Sequence, residues 1–146
     1  MINEPDKWAL FEHPACTTYT HPTLPFCLLG DAAHATTPHL GAGAGFAIED
    51  VYILSGLLHS LDPKSMSAVD LNKAMKAYDK VRRPRSQELV VRSRKQGMLL
   101  DLMMEDGSEV EDWKPKLNAE LAPSAHWVWG VDFVEMLESA KRMLNA

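Results

Sequence analysis

An α/β class is predicted for this chain, mostly helical with one or two short strands, and three observations predict it. The apolar run Phe26-Cys27-Leu28-Leu29 stops at Gly30, as a strand buried on both faces would. A glycine-rich turn then leads into apolar residues at helical spacing from Phe46 to Leu58. Two later stretches, about 67–104 and 124–144, show the same helical spacing.

From Trp8 to Leu29 the chain reads as short extended pieces joined by the turns His13-Pro14, His21-Pro22 and Leu24-Pro25. The run at 26–29 needs neighbouring strands for its ladder, and the rest of the sequence offers few. A helix is expected to begin between Gly41 and Gly45. Its residues Phe46, Ile48, Val51, Tyr52, Leu54, Leu57 and Leu58 cover much of the circumference, which predicts burial on most sides until Asp62-Pro63 stops it. A second helix is predicted from about Ser67 to Arg83, kinked or divided by Pro84, and resumed to Met104. Asp106-Gly107-Ser108 is a turn signal, 109–120 a short polar stretch closing at Pro123, and the tail one more helix after an aromatic-rich entry. The division is residues 1–62, short strands plus the glycine-rich motif and its helix, and 63–146, a helical segment. Together they form one incomplete domain, because the strand lacks its sheet.

Composition excludes several functions. With 146 residues, 46% of them hydrophobic, the chain can build a core, and a compact globule of 16.3 kDa would expose roughly 7,500 Å². Fifteen Lys and Arg against twenty Asp and Glu, a net charge of −5, argue against a nucleic-acid partner. The start Met1-Ile2-Asn3-Glu4-Pro5-Asp6-Lys7 has neither the basic nor the apolar part of a secretory signal. Every apolar run is broken well before about 18 residues, so no membrane span is expected. Cys16 and Cys27 are too few for a disulfide framework and form no CxxC, which fits a reducing compartment and a cytoplasmic setting.

The chemistry concentrates between Leu28 and Asp50. A buried strand would deliver Asp31 at its carboxyl end, where α/β sheets place ligands. Gly41, Gly43 and Gly45 let backbone N–H groups approach a flat ligand, and the following helix start favours negative charge. Asp31, acceptor-only when ionised, suits sugar or polyol hydroxyls, although it could simply cap a turn. His34, His39 and Asp31 lack a familiar ligand spacing, so no metal is expected. His13, His21, His59 and His126 belong to no constellation. The basic residues Lys80, Arg82, Arg83, Arg85, Arg92, Arg94 and Lys95 read as a solvated or intramolecularly paired face, compensated by the acids from Asp101 to Asp112. Met98 to Met104, Trp127 and Trp129 read as packing residues.

Gly30-Asp31-Ala32-Ala33-His34, Pro38, Gly41-Ala42-Gly43 and the later acid at Asp50 match a whole motif. Here the sequence resembles the flavin-dependent aromatic hydroxylases, single-component FAD monooxygenases that include salicylate and para-hydroxybenzoate hydroxylases. Tyr78, Arg82 and Arg85 look like that family's Y-x-x-x-R-x-x-R segment, and His126 to Asp132 like the tail of its salicylate hydroxylase branch. The resemblance runs from about Trp8 onward. It implies an incomplete FAD/NAD(P)-binding Rossmann-like domain, because the family's G-x-G-x-x-G turn, ribose-binding acid and substrate-binding sheet are not found here.

By resemblance, the cofactor-binding residues are Gly30, Asp31, Pro38, Gly41, Ala42, Gly43 and Ala44. Asp31 would accept from the ribityl chain, and the glycine-turn amides would face the pyrimidine end of the ring. The catalytic candidates are Pro38, beside the reactive flavin carbon, with His34 and His39; His34 is otherwise a structural or peri-flavin residue. The implied reaction hydroxylates a small aromatic substrate with FAD, NAD(P)H and O2. The chain looks like the carboxyl-terminal third of such an enzyme, which implies a truncated form with weak FAD affinity. Its expected partner is a complementing amino-terminal chain or a second copy. Two other readings stay open: a paralogue that binds small molecules or acts as a cofactor-free isomerase or lyase through His34 or His39, and a structural or oligomerising piece.

Overall fold

A computed structural model describes residues 4, 6–104, 106–109 and 111–144. Met1, Ile2, Asn3 and Pro5 of the leader reading and Glu105 of the acidic run lie outside the described residues. The elements are α1 (Asp31–His34), a 3₁₀ turn (Pro38–Leu40), α2 (Gly43–His59), α3 (Ala68–Leu100), α4 (Trp113–Trp129) and α5 (Phe133–Leu144).

The axis of the fold is α3, 33 residues long and thus about 50 Å. Its start is well defined: the Ser67 hydroxyl accepts from the Asp70 N–H at 3.2 Å, while the Asp70 carboxylate accepts from the Ser67 N–H at 2.9 Å. This reciprocal cap satisfies two donors that a helix start leaves open. Buried residues Ala74, Tyr78, Arg82, Ser86, Leu89, Ser93 and Gly97 recur every three or four positions along one stripe. The first half of that stripe packs with α2 and α5 in a core containing Ile53, Leu57, Tyr78, Leu137 and Ala140, joined by Tyr19. The second half meets the 3₁₀ turn and α4, with Ala42, Phe46, Leu89 and Val128 in a smaller core.

Several expectations fail. The strand at 26–29 does not form. Among the described residues the β-structure consists of two isolated antiparallel bridges, Thr20 with Cys27 and Met103 with Glu109. A four-residue run without a neighbouring ladder leaves its backbone groups unpaired, and here Phe26 is 49% and Leu29 37% exposed. Asp31 accordingly opens a short helix instead of ending a strand.

The expectation of α2 buried on most sides also fails. Phe46, Asp50, Ile53 and Leu57 face inward, but Ile48, Val51 and Tyr52 stay exposed, with Phe133 of α5 edge-on to the Tyr52 ring. Pro84 does not divide α3: it sits at an exposed position, and the buried contacts of Arg82, Ser86 and Leu89 on either side outweigh the lost helical bond. Likewise Pro123 lies inside α4, which begins at Trp113 and absorbs the aromatic stretch expected to precede the last helix.

The chain exposes 9644 Å², well above the area of a compact globule of its mass. Among the described residues no helix is long and apolar enough to cross a membrane.

Candidate functional site

Gly30 makes the corner from which the site is built. Its φ of +57° is a left-handed value that a side chain disfavours, and a Cβ there would lie 3.3 Å from the Ala47 Cβ of α2. The close approach brings the Gly30 N–H to Asp50 Oδ2 at 2.9 Å. His34, at the other end of α1, meets the same oxygen through Nε2 at 2.6 Å. An ionised carboxylate only accepts, so Nε2 carries the hydrogen.

Asp50 Oδ1 takes the Arg82 Nε at 2.9 Å. Arg82 also reaches Glu49 Oε2 at 2.7 Å, and Arg85 pairs with both Glu49 oxygens at 2.9 and 3.0 Å. The Arg85 guanidinium further donates to the Trp127 and Val128 carbonyls at 3.2 and 2.9 Å, holding the last turn of α4, and lies 4.5 Å from the Phe46 ring centroid. Tyr78 O–H donates to the Leu28 carbonyl at 3.0 Å and thereby fixes the segment entering Gly30.

Electrostatics follow from this burial. Burial alone would push the Asp50 carboxyl up, but His34, the Gly30 N–H and the Arg82 guanidinium outweigh it and hold the group below the ordinary carboxylate value. Burial pushes the Tyr19 and Tyr78 hydroxyls up. Tyr19 O–H meets Ser86 Oγ at 2.8 Å, and Ser86 Oγ donates to the Arg82 carbonyl at 3.1 Å, whereas His34 Nδ1 is buried without a hydrogen-bond partner.

The expected site residues divide between two surfaces. Gly30, His34 and Ala42 are buried. Asp31, Pro38, Gly41 and Ala44 are exposed, with His39 and Gly43 half-buried. Gly41 ends the 3₁₀ turn at φ +61°, and a Cβ at Gly41 or Gly45 would meet no atom within 4 Å. No side chain caps the start of α2, and its first turn holds no acid. An exposed carboxylate, uncapped helix N–H groups and open space beside glycines together fit a flat ring bearing hydroxyls and carbonyl oxygens, which is the chemistry of FAD. His39 lies over Gly97, where a Cβ would come within 2.5 Å of its ring, and its Nδ1 is buried without a hydrogen-bond partner.

Sequence reasoning missed the clamp formed by Asp50, Glu49, Arg82 and Arg85. Within the basic run Arg83, Arg92, Arg94 and Lys95 pair with Asp79, Glu88, Glu12 and Glu120, and Arg82 and Arg85 with the clamp acids. Arg82 is completely buried, which a solvated face does not describe. Trp127 packs against Phe46 with ring centroids 5.8 Å apart, whereas Trp129 is 75% exposed.

Comparison with known proteins shows what the chain is similar to. A salicylate hydroxylase of Pseudomonas putida is 35% identical over 99% of this chain and 31% of its own length. An FAD-dependent monooxygenase of Aspergillus niger is 33% identical over 97% of this chain and 33% of its own. A 6-methylsalicylate 1-monooxygenase of Aspergillus terreus is 34% identical over 90% and 28%. The solved structure of a salicylate hydroxylase substrate complex superposes with a TM-score of 0.76 and 36% identity, over 91% of this chain and 30% of that one. The chain thus spans about a third of the length of these relatives. Residues 11–93 match the FAD binding domain family, a stretch that holds α1, α2, the clamp and the exposed turn, and the chain belongs to that family.

Proposed function

We propose that this chain supplies the flavin-contacting, carboxyl-terminal portion of an FAD-dependent monooxygenase that hydroxylates a small aromatic substrate with NAD(P)H and O2. The observation that carries the reading is that one motif holds an exposed Asp31 carboxylate and an uncapped α2 start, while its inner residues Gly30 and His34 are locked to Asp50. Bound there, FAD supplies the electron transfer and oxygen chemistry that protein side chains lack.

The chain's own residues bind and orient. Asp31 accepts from the ribityl hydroxyls, and the amides of Gly41, Ala42, Gly43 and Ala44 face the pyrimidine end, where the helix dipole favours negative charge. Pro38 shapes the wall beside the reactive carbon. His39, half-buried beside Gly97, is the histidine assigned in this reading to exchange a hydrogen bond or a proton with a phenolic hydroxyl. His34 acts structurally, since it is buried against Asp50.

In this reading residues 1–62 and 63–146 form one incomplete Rossmann-like domain. The uncovered side of α2, with Ile48, Tyr52 and the exposed Trp129 lining a groove of about 440 Å³, receives the rest of the fold, from a complementing amino-terminal chain or a second copy. The free thiols of Cys16 and Cys27 support a cytoplasmic setting.

The test titrates FAD into the purified chain, alone and with the P. putida salicylate hydroxylase lacking its aligned segment. Weak, saturable quenching by the chain alone and NAD(P)H oxidation only in the mixture are expected. A stoichiometric yellow monomer would contradict the weak affinity. A flavin-independent activity lost in His39→Ala would replace the reading with a cofactor-free enzyme.

A further inference from the structure

The carboxylate of Asp50 is completely buried, yet it gathers three donors, two from the ends of α1 and one from α3. Oδ2 takes the Gly30 N–H at 2.9 Å and His34 Nε2 at 2.6 Å, while Oδ1 takes Arg82 Nε at 2.9 Å. Charge balance uses only part of this carboxylate: Glu49 is shared between Arg82 and Arg85, so Asp50 Oδ1 completes the pairing of Arg82 while Oδ2 is left for other donors. What Asp50 adds is the grip on α1. Gly30 and His34 flank Asp31, so one oxygen holds both ends of the helix that carries it. Four residues are far too few for a helix to persist by itself, and no side chain caps this one. Its direction must be imposed from outside, and the Asp50 carboxylate is the group in contact with both ends.

We propose that Asp50 is a positioning residue for the cofactor: through the Gly30 N–H and the His34 ring it fixes α1 so that the Asp31 carboxylate stands ready for the ribityl hydroxyls. This rests on the assignment of Asp31 proposed above.

The test is a double-mutant cycle on FAD affinity with Asp31→Asn, Asp50→Asn and the combined variant, each checked for native helix content. Each single change is expected to weaken FAD by about tenfold, and the combined variant to be no weaker than the worse single one, because Asp50 acts through Asp31. Fully additive losses would overturn the inference, leaving Asp50 a structural residue only. An Asp31→Asn variant with unchanged affinity would instead overturn the cofactor assignment, and the inference with it. Should Asp50→Asn fail to fold, hydrogen exchange on the unaltered chain decides. Saturating FAD must slow exchange of the Gly30 amide, since binding and clamp formation are linked reciprocally, and an unchanged rate would reject the inference.

Discussion

The inner and outer sides of the motif from Gly30 to Asp50 obey opposite rules. Inside, every charge has a partner: Asp50 takes three donors, and Glu49 serves two arginines. Outside, Asp31, Pro38, Gly41, Ala44 and Gly45 are exposed, and the helix start has no cap. A fold optimised only for its own stability would cap that helix and cover that glycine turn. The difference teaches that the motif spends its inner residues on shape and keeps its outer ones for a ligand.

The largest expected effect comes from removing one charge of the inner side. Arg82→Met leaves Asp50 and Glu49 buried with fewer counter-charges, and breaking a buried pair costs about 3–5 kcal/mol. Urea unfolding of the variant should show that loss, with native helix content at zero denaturant greatly reduced. A cost under about 1 kcal/mol would mean that water screens the clamp and that the contrast between the two sides is weaker than drawn.

Acid should reach the same clamp more gently. The folded-state pKa of Asp50 is depressed, so its stabilisation is complete above the unfolded carboxylate value of about 3.9 and fades as pH falls through the lower, folded value. Unfolding free energies measured from pH 7 downward should therefore drop on the acid side, and Asp50→Asn should flatten that drop. An identical acid slope in the variant would remove Asp50 from the account.

Two glycines compare the sides directly. Gly30→Ala forces a Cβ into a left-handed corner 3.3 Å from Ala47 and should destabilise by about 1–3 kcal/mol. Gly45→Ala meets open space within α2 and should stabilise by about 0.4–1 kcal/mol while weakening FAD binding. Thermal melts and flavin titrations on both variants check the pair; a destabilising Gly45→Ala would show that the outer turn also serves the fold.

How far the sequence could be read cuts across the same division. The family motif is legible as a string from Gly30 to Asp50, but its spacing does not tell the inner residues Gly30, His34 and Asp50 from the outer Asp31, Pro38 and glycine turn. The inner clamp joins Gly30, His34, Asp50 and Arg82 across up to 52 residues of chain, and a linear reading places Arg82 in a basic run instead of a core. A signal did exist: Arg82 follows Tyr78 by four residues and precedes Leu89 by seven, which puts it on the buried stripe of α3. The strand at 26–29 misled because strand formation depends on a neighbour, which four apolar residues do not encode. Pro123 misled, and Pro84 leaves α3 undivided, because local propensity yields when flanking residues are anchored by packing.

The smallest expected change in stability concerns His39, half-buried between the two sides. Gly97→Ala puts a methyl group where the His39 ring lies, so the ring must swing away. The helical gain of about 1 kcal/mol for alanine over glycine offsets part of the lost packing, and the net effect should stay within about 1 kcal/mol. Because the change displaces the His39 ring and not the backbone amides of the glycine turn, FAD affinity should be unchanged, while hydroxylation by the complemented enzyme should fall at saturating flavin. Reduced FAD affinity with normal turnover would move His39 from the substrate to the cofactor and redraw the boundary between the two sides.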